Sequence, residues 1–324
     1  MFAVYVDRPD FADPLSALIV GERPQPAAGA GSVRIKVAAA SLNWHDLWTL
    51  QGLGGINGRP ETYPMILGCD GAGTLDDGTP VAIYPVIGDP GWKDDETLDP
   101  ARSVLTEQLQ GTFADYVALP RRNAVPLPSG LDPVTAAVLG ASWLTAYRML
   151  FTRSGLQPGQ TMLVQGASGG VATALIQLGR AAGFEVWVTG RSRGKLQLAE
   201  QLGAQRCFGS GERLPRPADA VLELVGSATF EHSLASVRTG GCIVVAGAAS
   251  GIEARLDLAR VFIEQIQIKG VFAGTLDEFR KLLALVAGAG LRPHIGETLP
   301  MAEAAEGFRR MQGGATAGKI LLKR

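Results

Sequence analysis

Residues 162–172 read MLVQGASGGVA: an apolar run of strand length breaks into a cluster of small residues, and ATALIQLGRAAG then continues at helical spacing. A strand that turns straight into a helix through residues without bulk needs cover on both apolar faces and leaves the first helical amides bare. The alternation repeats. Met162–Val164, Glu185–Thr189, Ala220–Leu224 and Cys242–Ala246 are strand candidates, separated by helical runs such as KLQLAEQLGA. That order predicts a doubly wound α/β domain, a parallel sheet with helices on both faces.

A chain of 324 residues exceeds one ordinary core and suits two domains. Residues 1–125 read as mainly β, with Val33–Val37 alternating like a half-buried strand and Gly and Pro recurring between short runs. Residues 126–261 carry the wound pattern, opening on DPVTAAVLGASWLTAYRMLF, whose Asp-Pro start predicts a helix. Residues 262–324 hold one strong helical run, LDEFRKLLALVAGAG, and a closing strand at Lys319–Lys323. This tail is expected to rejoin the first domain, leaving the wound domain inserted.

A formal net charge of -1 provides no global field for nucleic acid or an anionic membrane surface. Cys69, Cys207 and Cys242 are widely spaced without a CxxC pair, which argues against a disulfide framework or four-cysteine zinc and favours a reducing cytoplasm. All three read as core thiols. The start, MFAVYVDRPDFADP, lacks the basic and apolar regions of a signal peptide, and no run reaches membrane-spanning length.

In a nucleotide-binding βαβ unit, small residues let backbone amides and the positive helix end approach a pyrophosphate. Residues 166–172 fit a variant of GxGxxG in which Ala167 stands for the first glycine, Gly169 for the second and Ala172 for the third; Gly166, Ser168, Gly170 and Val171 complete the turn. An ordinary tight turn is the alternative. The second strand ends in VTGRSRGK, without the acid that accepts from ribose hydroxyls in NAD-preferring sites. Gly190 removes that carboxylate, and Arg191, Arg193 and Lys195 offer cations to a 2′-phosphate, so NADPH is the expected cofactor. A solvated basic helix start is the competing reading, but cations oppose the dipole there.

Six segments then carry a family likeness: AASLNWHD (39–46), PMILGCDGAG (64–73), GTFADY (111–116), GLQPGQ (155–160), the turn at 166–172, and GKILL (318–322). In this order the chain resembles the medium-chain dehydrogenase/reductase superfamily, in its zinc-free quinone oxidoreductase and enoyl reductase branch. The resemblance implies a GroES-like catalytic domain built from both chain ends, an inserted Rossmann domain, and homodimers joined through the wound domains. It also implies cofactor contacts at Val225, Gly247, Ala248, Phe272 and Gly274. Zinc-dependent members carry Cys, His and Cys ligands where this chain has Asn43, Cys69 and Ala141. One soft ligand does not hold tetrahedral zinc, so no metal is expected.

By that resemblance Asn43 occupies a substrate-facing position, with an amide suited to a carbonyl oxygen that gains charge; a turn residue bonding its own backbone is the alternative. His45 falls where zinc enzymes carry a proton-relaying hydroxyl, and its imidazole suits protonation of an enolate or hydroquinone oxygen. Trp48 is the expected aromatic wall, with Trp44 beside it, although aromatics more often serve the core. Asp46 reads as structural, and Cys69 and Asp70 as a buried thiol and a locally bonded carboxylate. The acidic stretch from Gly88 to Gln110 reads by default as a solvated loop, with a lid or dimer contact as alternatives.

The expected activity is zinc-independent, NADPH-dependent hydride transfer to a quinone or α,β-unsaturated carbonyl. The alternatives are an enoyl-thioester, enone or carbonyl reductase of biosynthesis, and a non-enzymatic NADPH-binding structural or regulatory protein.

Overall fold

A computed structural model describes residues 1–53 and 62–324. The chain divides into two units, one of residues 1–144 with 274–324 and the other of residues 145–273. The expected boundaries at 126 and 262 lie ahead of these breaks. The segment after Asp132 packs on strands of the first unit, and Gln267–Gly270 still belongs to the second unit's sheet.

In the first unit the strands Ala124–Pro126, Pro80–Ile83, Gly71–Leu75, Ser32–Ser41, Lys319–Lys323 and Ile295–Pro300 lie side by side in that order, and Tyr116–Pro120 also pairs with Ser32–Ser41. The closing strand does rejoin the N-terminal part: Leu321 pairs with Ser41 and Lys323 with Ala39, antiparallel. Its alternate residues feed one core in which Ile320 and Leu322 meet Ile35, Leu67, Phe113 and Phe308. Each such side chain contributes about 1.5–3 kcal/mol on burial. Helix α1, Trp44–Gln51, follows Ser32–Ser41 directly and ends at Gly52, in the left-handed conformation at φ 74°. The helical run at 276–290 forms as Leu276–Gly288, opened by a reciprocal box in which Thr275 Oγ1 accepts from Glu278 N (3.1 Å) and Glu278 Oε2 from Thr275 N (2.7 Å).

The run from Asp132 is not one regular helix. Asp132 caps it by accepting from Thr135 N at 2.9 Å, but Leu139–Trp143 and Arg148–Arg153 wind as wider π turns on either side of Leu144–Tyr147. Gly140 lies where a Cβ would stand 2.8 Å from Ile83 O and 3.0 Å from Asp70 Cβ, so this backbone is packed more tightly than any side chain allows.

The second unit is a six-stranded parallel sheet: β1 Thr161–Gln165, β2 Glu185–Gly190, β3 Arg206–Gly209, β4 Ala218–Glu223, β5 Val237–Val245 and β6 Gln267–Gly270, in the order β3-β2-β1-β4-β5-β6. All five residues of β1 are buried, as its unbroken apolar run requires of a central parallel strand. Helix α2, Gly170–Ala181, follows β1, and α3, Arg193–Leu202, follows β2. No helix of the described residues is long and apolar enough to cross a membrane.

Candidate functional site

In the second unit, the turn after β1 opens at Gly166, whose φ of 94° few side chains tolerate and whose Cβ would stand 3.2 Å from Val225 Cγ2. Gly169 then takes the cap position of α2 with open space where its Cβ would lie, and no side chain caps the helix. The first amides of α2, Gly170 and Val171 among them, therefore have no side-chain cap, the arrangement that attracts an anion; Ala167 and Ser168 precede them in the turn.

Strand β2 runs parallel to β1, with Gln165 opposite Thr189, so Gly190 and Arg191 emerge beside the glycine turn. A Cβ on Gly190 would meet Leu196 Cδ2 at 2.9 Å and Ala167 Cβ at 3.0 Å, which gives this glycine a packing reason besides the missing carboxylate. Arg191 and Arg193 are exposed, and neither forms an ion pair with a described residue; Lys195 is half-buried. Val225 follows β4, and Gly247 and Ala248 follow β5, with Gly247 lying where a Cβ would be 2.4 Å from Leu224 O. Phe272 follows β6, half-buried. These positions all gather at the carboxyl ends of the strands, where wound sheets bind their ligands. Gly274 belongs to the first unit, where its carbonyl accepts from Tyr84 Oη at 2.8 Å and a Cβ would strike Leu144 Cδ1 at 2.6 Å.

Two polar residues that sequence reasoning passed over tie these strand ends together. Thr189 Oγ1 donates to Gln165 Oε1 (2.5 Å), Gln165 Nε2 to Ser233 Oγ (3.0 Å), and Ser233 Oγ to Glu223 Oε2. Glu223 Oε1 also accepts from Val225 N (2.8 Å) and Gly226 N (2.9 Å), setting the turn after β4. The available signal was a polar residue closing each apolar strand, MLVQ and AVLE. His232 joins as a structural group: Gln165 Nε2 donates to its Nδ1 at 2.8 Å, leaving Nε2–H to donate to Glu212 O at 2.8 Å. Cys69 and Cys242 are buried, but Cys207 is only half-buried at the sheet's edge strand and departs from the expected core position.

In the first unit, Asn43, His45 and Trp48 all lie at α1. Asn43 caps the helix and is 9 % exposed, and its N–H donates to Asp46 Oδ2 at 2.8 Å. Its amide turns inward: Nδ2 donates to Ser41 O at 3.0 Å, and Oδ1 accepts from Lys319 Nζ at 2.6 Å. The Lys319 ammonium, 3 % exposed, also donates to Leu42 O (2.8 Å) and Ser142 Oγ (3.4 Å) and lies 3.9 Å from Asp70 Oδ2. Asp70 Oδ1 accepts from Ser41 Oγ at 2.7 Å. Burial pushes the Asp70 carboxyl above its usual range, against the pull of Lys319 and Ser41. Burial also raises Asp46, to about 7, opposed by its bonds from the N–H groups of Asn43 and Gly68. Cys69, beside these two carboxyls, is held as a thiol by burial. Ala141 supplies no donor atom. The Lys319 network was not anticipated from sequence.

His45 is largely enclosed, and burial lowers its pKa to about 4. Its ring meets that of Trp48 edge-on at 6.4 Å between centroids. Trp44 and Trp48 are each 47 % exposed, so both present an aromatic face outside the core.

Comparison with known proteins agrees with this architecture. Residues 29–129 match the alcohol dehydrogenase GroES-like domain, and residues 170–288 match the zinc-binding dehydrogenase family. The chain is 28 % identical to the acryloyl-coenzyme A reductase of Sulfurisphaera tokodaii over 93 % of this chain and 95 % of the relative. It is 28 % identical to the quinone oxidoreductase of Lama guanicoe over 90 % and 88 %, respectively. A solved NAD-dependent alcohol dehydrogenase superposes with a TM-score of 0.92 at 31 % identity, covering 100 % of both chains. The GroES-like sheet closed by the C-terminal strand, the inserted wound sheet and these likenesses together make the chain a member of the medium-chain dehydrogenase/reductase superfamily.

Proposed function

We propose that the chain is a zinc-independent, NADPH-dependent reductase that delivers hydride to a quinone or an α,β-unsaturated carbonyl. The observation that carries this reading is the Lys319 ammonium bonded to Asn43 Oδ1 within the segment set that binds zinc in related dehydrogenases. Of the three ligand positions, Asn43 has its oxygen engaged by a cation, Cys69 is a buried neutral thiol, and Ala141 has no donor. This donor set does not fit zinc. Among the described residues no group of three or more His, Cys, Asp or Glu is arranged to hold a metal ion. A chain without a Lewis acid suits acceptors that are already electron-poor, and two of the relatives named above act on a quinone or an acryloyl thioester.

The nicotinamide, when bound, supplies the hydride. The glycine turn and the first amides of α2 suit its pyrophosphate, and Arg191, Arg193 and Lys195 suit a 2′-phosphate. With Oδ1 polarised by Lys319, the second Nδ2 hydrogen of Asn43 is a strengthened donor for an acceptor oxygen that gains charge. Trp48 offers a flat face to a ring, and His45 offers the proton. The relative from Sulfurisphaera tokodaii favours a second reading, an enoyl thioester as acceptor.

The test is NADPH oxidation against 1,4-benzoquinone, 1,4-naphthoquinone, 2-cyclohexenone, a crotonyl thioester and an aldehyde, with metal analysis of the same protein. Turnover of the quinones or enone without stoichiometric zinc is the expected result. Turnover confined to the thioester moves the reading to the second alternative, and a tightly held zinc overturns the mechanism.

We also propose a homodimer joined through the wound domain. Strand β6 ends the sheet order, and Ile252 (91 % exposed), Leu258 (67 %), Phe262 (70 %) and Ile263 (67 %) form an exposed apolar run just before it. Light scattering is expected to give twice the 34.0 kDa chain mass, and Phe262→Asp with Ile263→Asp to give the monomer. A wild-type monomer refutes the pairing.

A further inference from the structure

The acidic segment 88–110 is a solvated loop only in part: Asp89, Lys93 and Asp94 are exposed, but much of its second half is buried. Asp99 is 2 % exposed and accepts from Asp89 N and Ala101 N, both at 2.7 Å, while Thr106 and Glu107 are 0 % and 3 % exposed. The segment turns Asp99 and Glu107 inward, leaves Asp89 and Asp94 exposed, and reaches α1 at two neighbouring points. Thr106 Oγ1 lies 3.3 Å from Thr49 Oγ1, which itself donates to His45 O at 3.2 Å. Glu107 Oε2 accepts from Val104 N at 3.0 Å, and Oε1 faces His45 Nε2 at 3.8 Å. Oε1 and Nε2 are both buried, and neither has a hydrogen-bond partner among the described residues. They stand roughly 1 Å beyond hydrogen-bond distance, within reach of a small side-chain shift.

The backbone beside this contact is strained. Thr106 has φ 85°, a genuine outlier for a β-branched residue, which costs of order 1–3 kcal/mol and persists only where its surroundings impose it. Apolar packing gives no reason to bury a carboxyl with one bare oxygen against an imidazole. A shared proton does.

We propose that Glu107 is a positioning residue for His45: its carboxyl keeps a proton on Oε1 toward Nε2, fixes the ring as the Nδ1–H tautomer, and replaces the proton that Nδ1 gives to the acceptor. This rests on His45 as the proton donor of the reduction proposed above. Where bound NADPH would supply hydride to the β-carbon of an enone or to one oxygen of a quinone, the oxygen left with the negative charge takes its proton from Nδ1 and a new O–H bond forms. The Nδ1–H bond breaks, the Oε1–H bond breaks and Nε2–H forms. His45 ends neutral as the other tautomer, Glu107 ends as a carboxylate, NADP⁺ is released, and a solvent proton restores the pair. Burial raises Glu107 and lowers His45, and both directions favour two neutral groups sharing one proton. Asp46 on the same helix turns its carboxyl to the N–H groups of Asn43 and Gly68, and no other acid or base among the described residues lies within ion-pair distance of His45.

The chain has three histidines, so ¹⁵N-histidine labelling with His45→Gln as the assignment control resolves the ring directly. At pH 7 the full chain is expected to show His45 as Nδ1–H; an Nε2–H tautomer or an imidazolium overturns the inference without reference to activity. Glu107→Gln preserves shape, because its amide still accepts from Val104 N and donates to Nε2, but has no proton to pass. Its kcat with NADPH and 2-cyclohexenone is expected to fall at least 10-fold with KM for NADPH unchanged and the tautomer retained, and Glu107→Asp to recover part of the loss. Full turnover by Glu107→Gln alongside a loss in His45→Gln sinks the role of Glu107 alone. Full turnover by His45→Gln sinks the reading of His45 itself.

Discussion

Lys319→Met is expected to destabilise the first unit by about 3–5 kcal/mol, the cost of stripping one partner from a buried charged network. The ammonium holds Leu42 O and Asn43 Oδ1 and lies 3.9 Å from Asp70, all within a shell that is nearly dry. Methionine fills the same channel but leaves Leu42 O without the Lys319 donor, Asn43 Oδ1 with only the Ser142 hydroxyl at 3.4 Å, and the Asp70 carboxyl without its cation. The sign of the pH dependence follows from Asp70. Its folded carboxyl is already raised by burial, so its ionisation costs stability as pH rises through that raised value, and the cost is absent below the ordinary carboxylate range. Loss of Lys319 raises it further. The difference between wild type and variant should therefore be smallest near pH 4 and grow toward pH 8, and adding Asp70→Asn should recover part of it. Urea unfolding at both pH values measures this. Tryptophan fluorescence suits the experiment, since Trp44, Trp48, Trp92 and Trp143 lie in the first unit and only Trp187 in the second. A loss below about 1 kcal/mol would show that the network carries no net stability, and a larger loss independent of pH would show that the Asp70 charge is not what Lys319 offsets.

Lys319 also marks where the sequence stopped being readable. The parallel strands were legible because a buried strand must be an apolar run, and MLV and AVL can satisfy few other environments. The glycine turn was legible for the same local reason. Lys319 meets Asn43 across 276 positions of chain, and nothing in GKILL distinguishes a buried ammonium from a solvated one. Glu107 hid in the same way within a segment whose other acids look like surface. The run after Asp132 matched a helix by spacing, but spacing does not register that Gly140 must approach Ile83 O, nor the π turns that carry Ser142 toward Lys319. Local pattern reached the scaffold and the glycine turn. Charges buried by distant partners lay beyond it, and the candidate proton chemistry is built from them.

Arg191→Ala combined with Arg193→Ala is expected to weaken NADPH binding about 100-fold while changing NADH binding less than about 3-fold, since each charge-assisted bond to phosphate contributes about 1.5–3 kcal/mol, reduced by solvent at an exposed site. Both side chains are exposed, and neither has an ion-pair partner among the described residues, so their removal breaks no contact of the fold. Stability should even rise slightly, because α3 has no acid in its first turn and Arg193 opposes the helix dipole at its start. That combination separates the proposal from a structural role: a residue kept for the fold loses stability on truncation, whereas one kept for an anion loses only the ligand. The wild type's NADPH affinity should also fall steeply with salt, and the double variant's should not. Gly190→Asp, which would restore an acid for the ribose, is expected to fail as a route to NADH preference, because its Cβ would stand 2.9 Å from Leu196 Cδ2 and 3.0 Å from Ala167 Cβ and would push the glycine turn itself. Calorimetric titration of both cofactors into wild type and double variant decides the matter, and equal losses for NADPH and NADH would remove the arginines from the phosphate site.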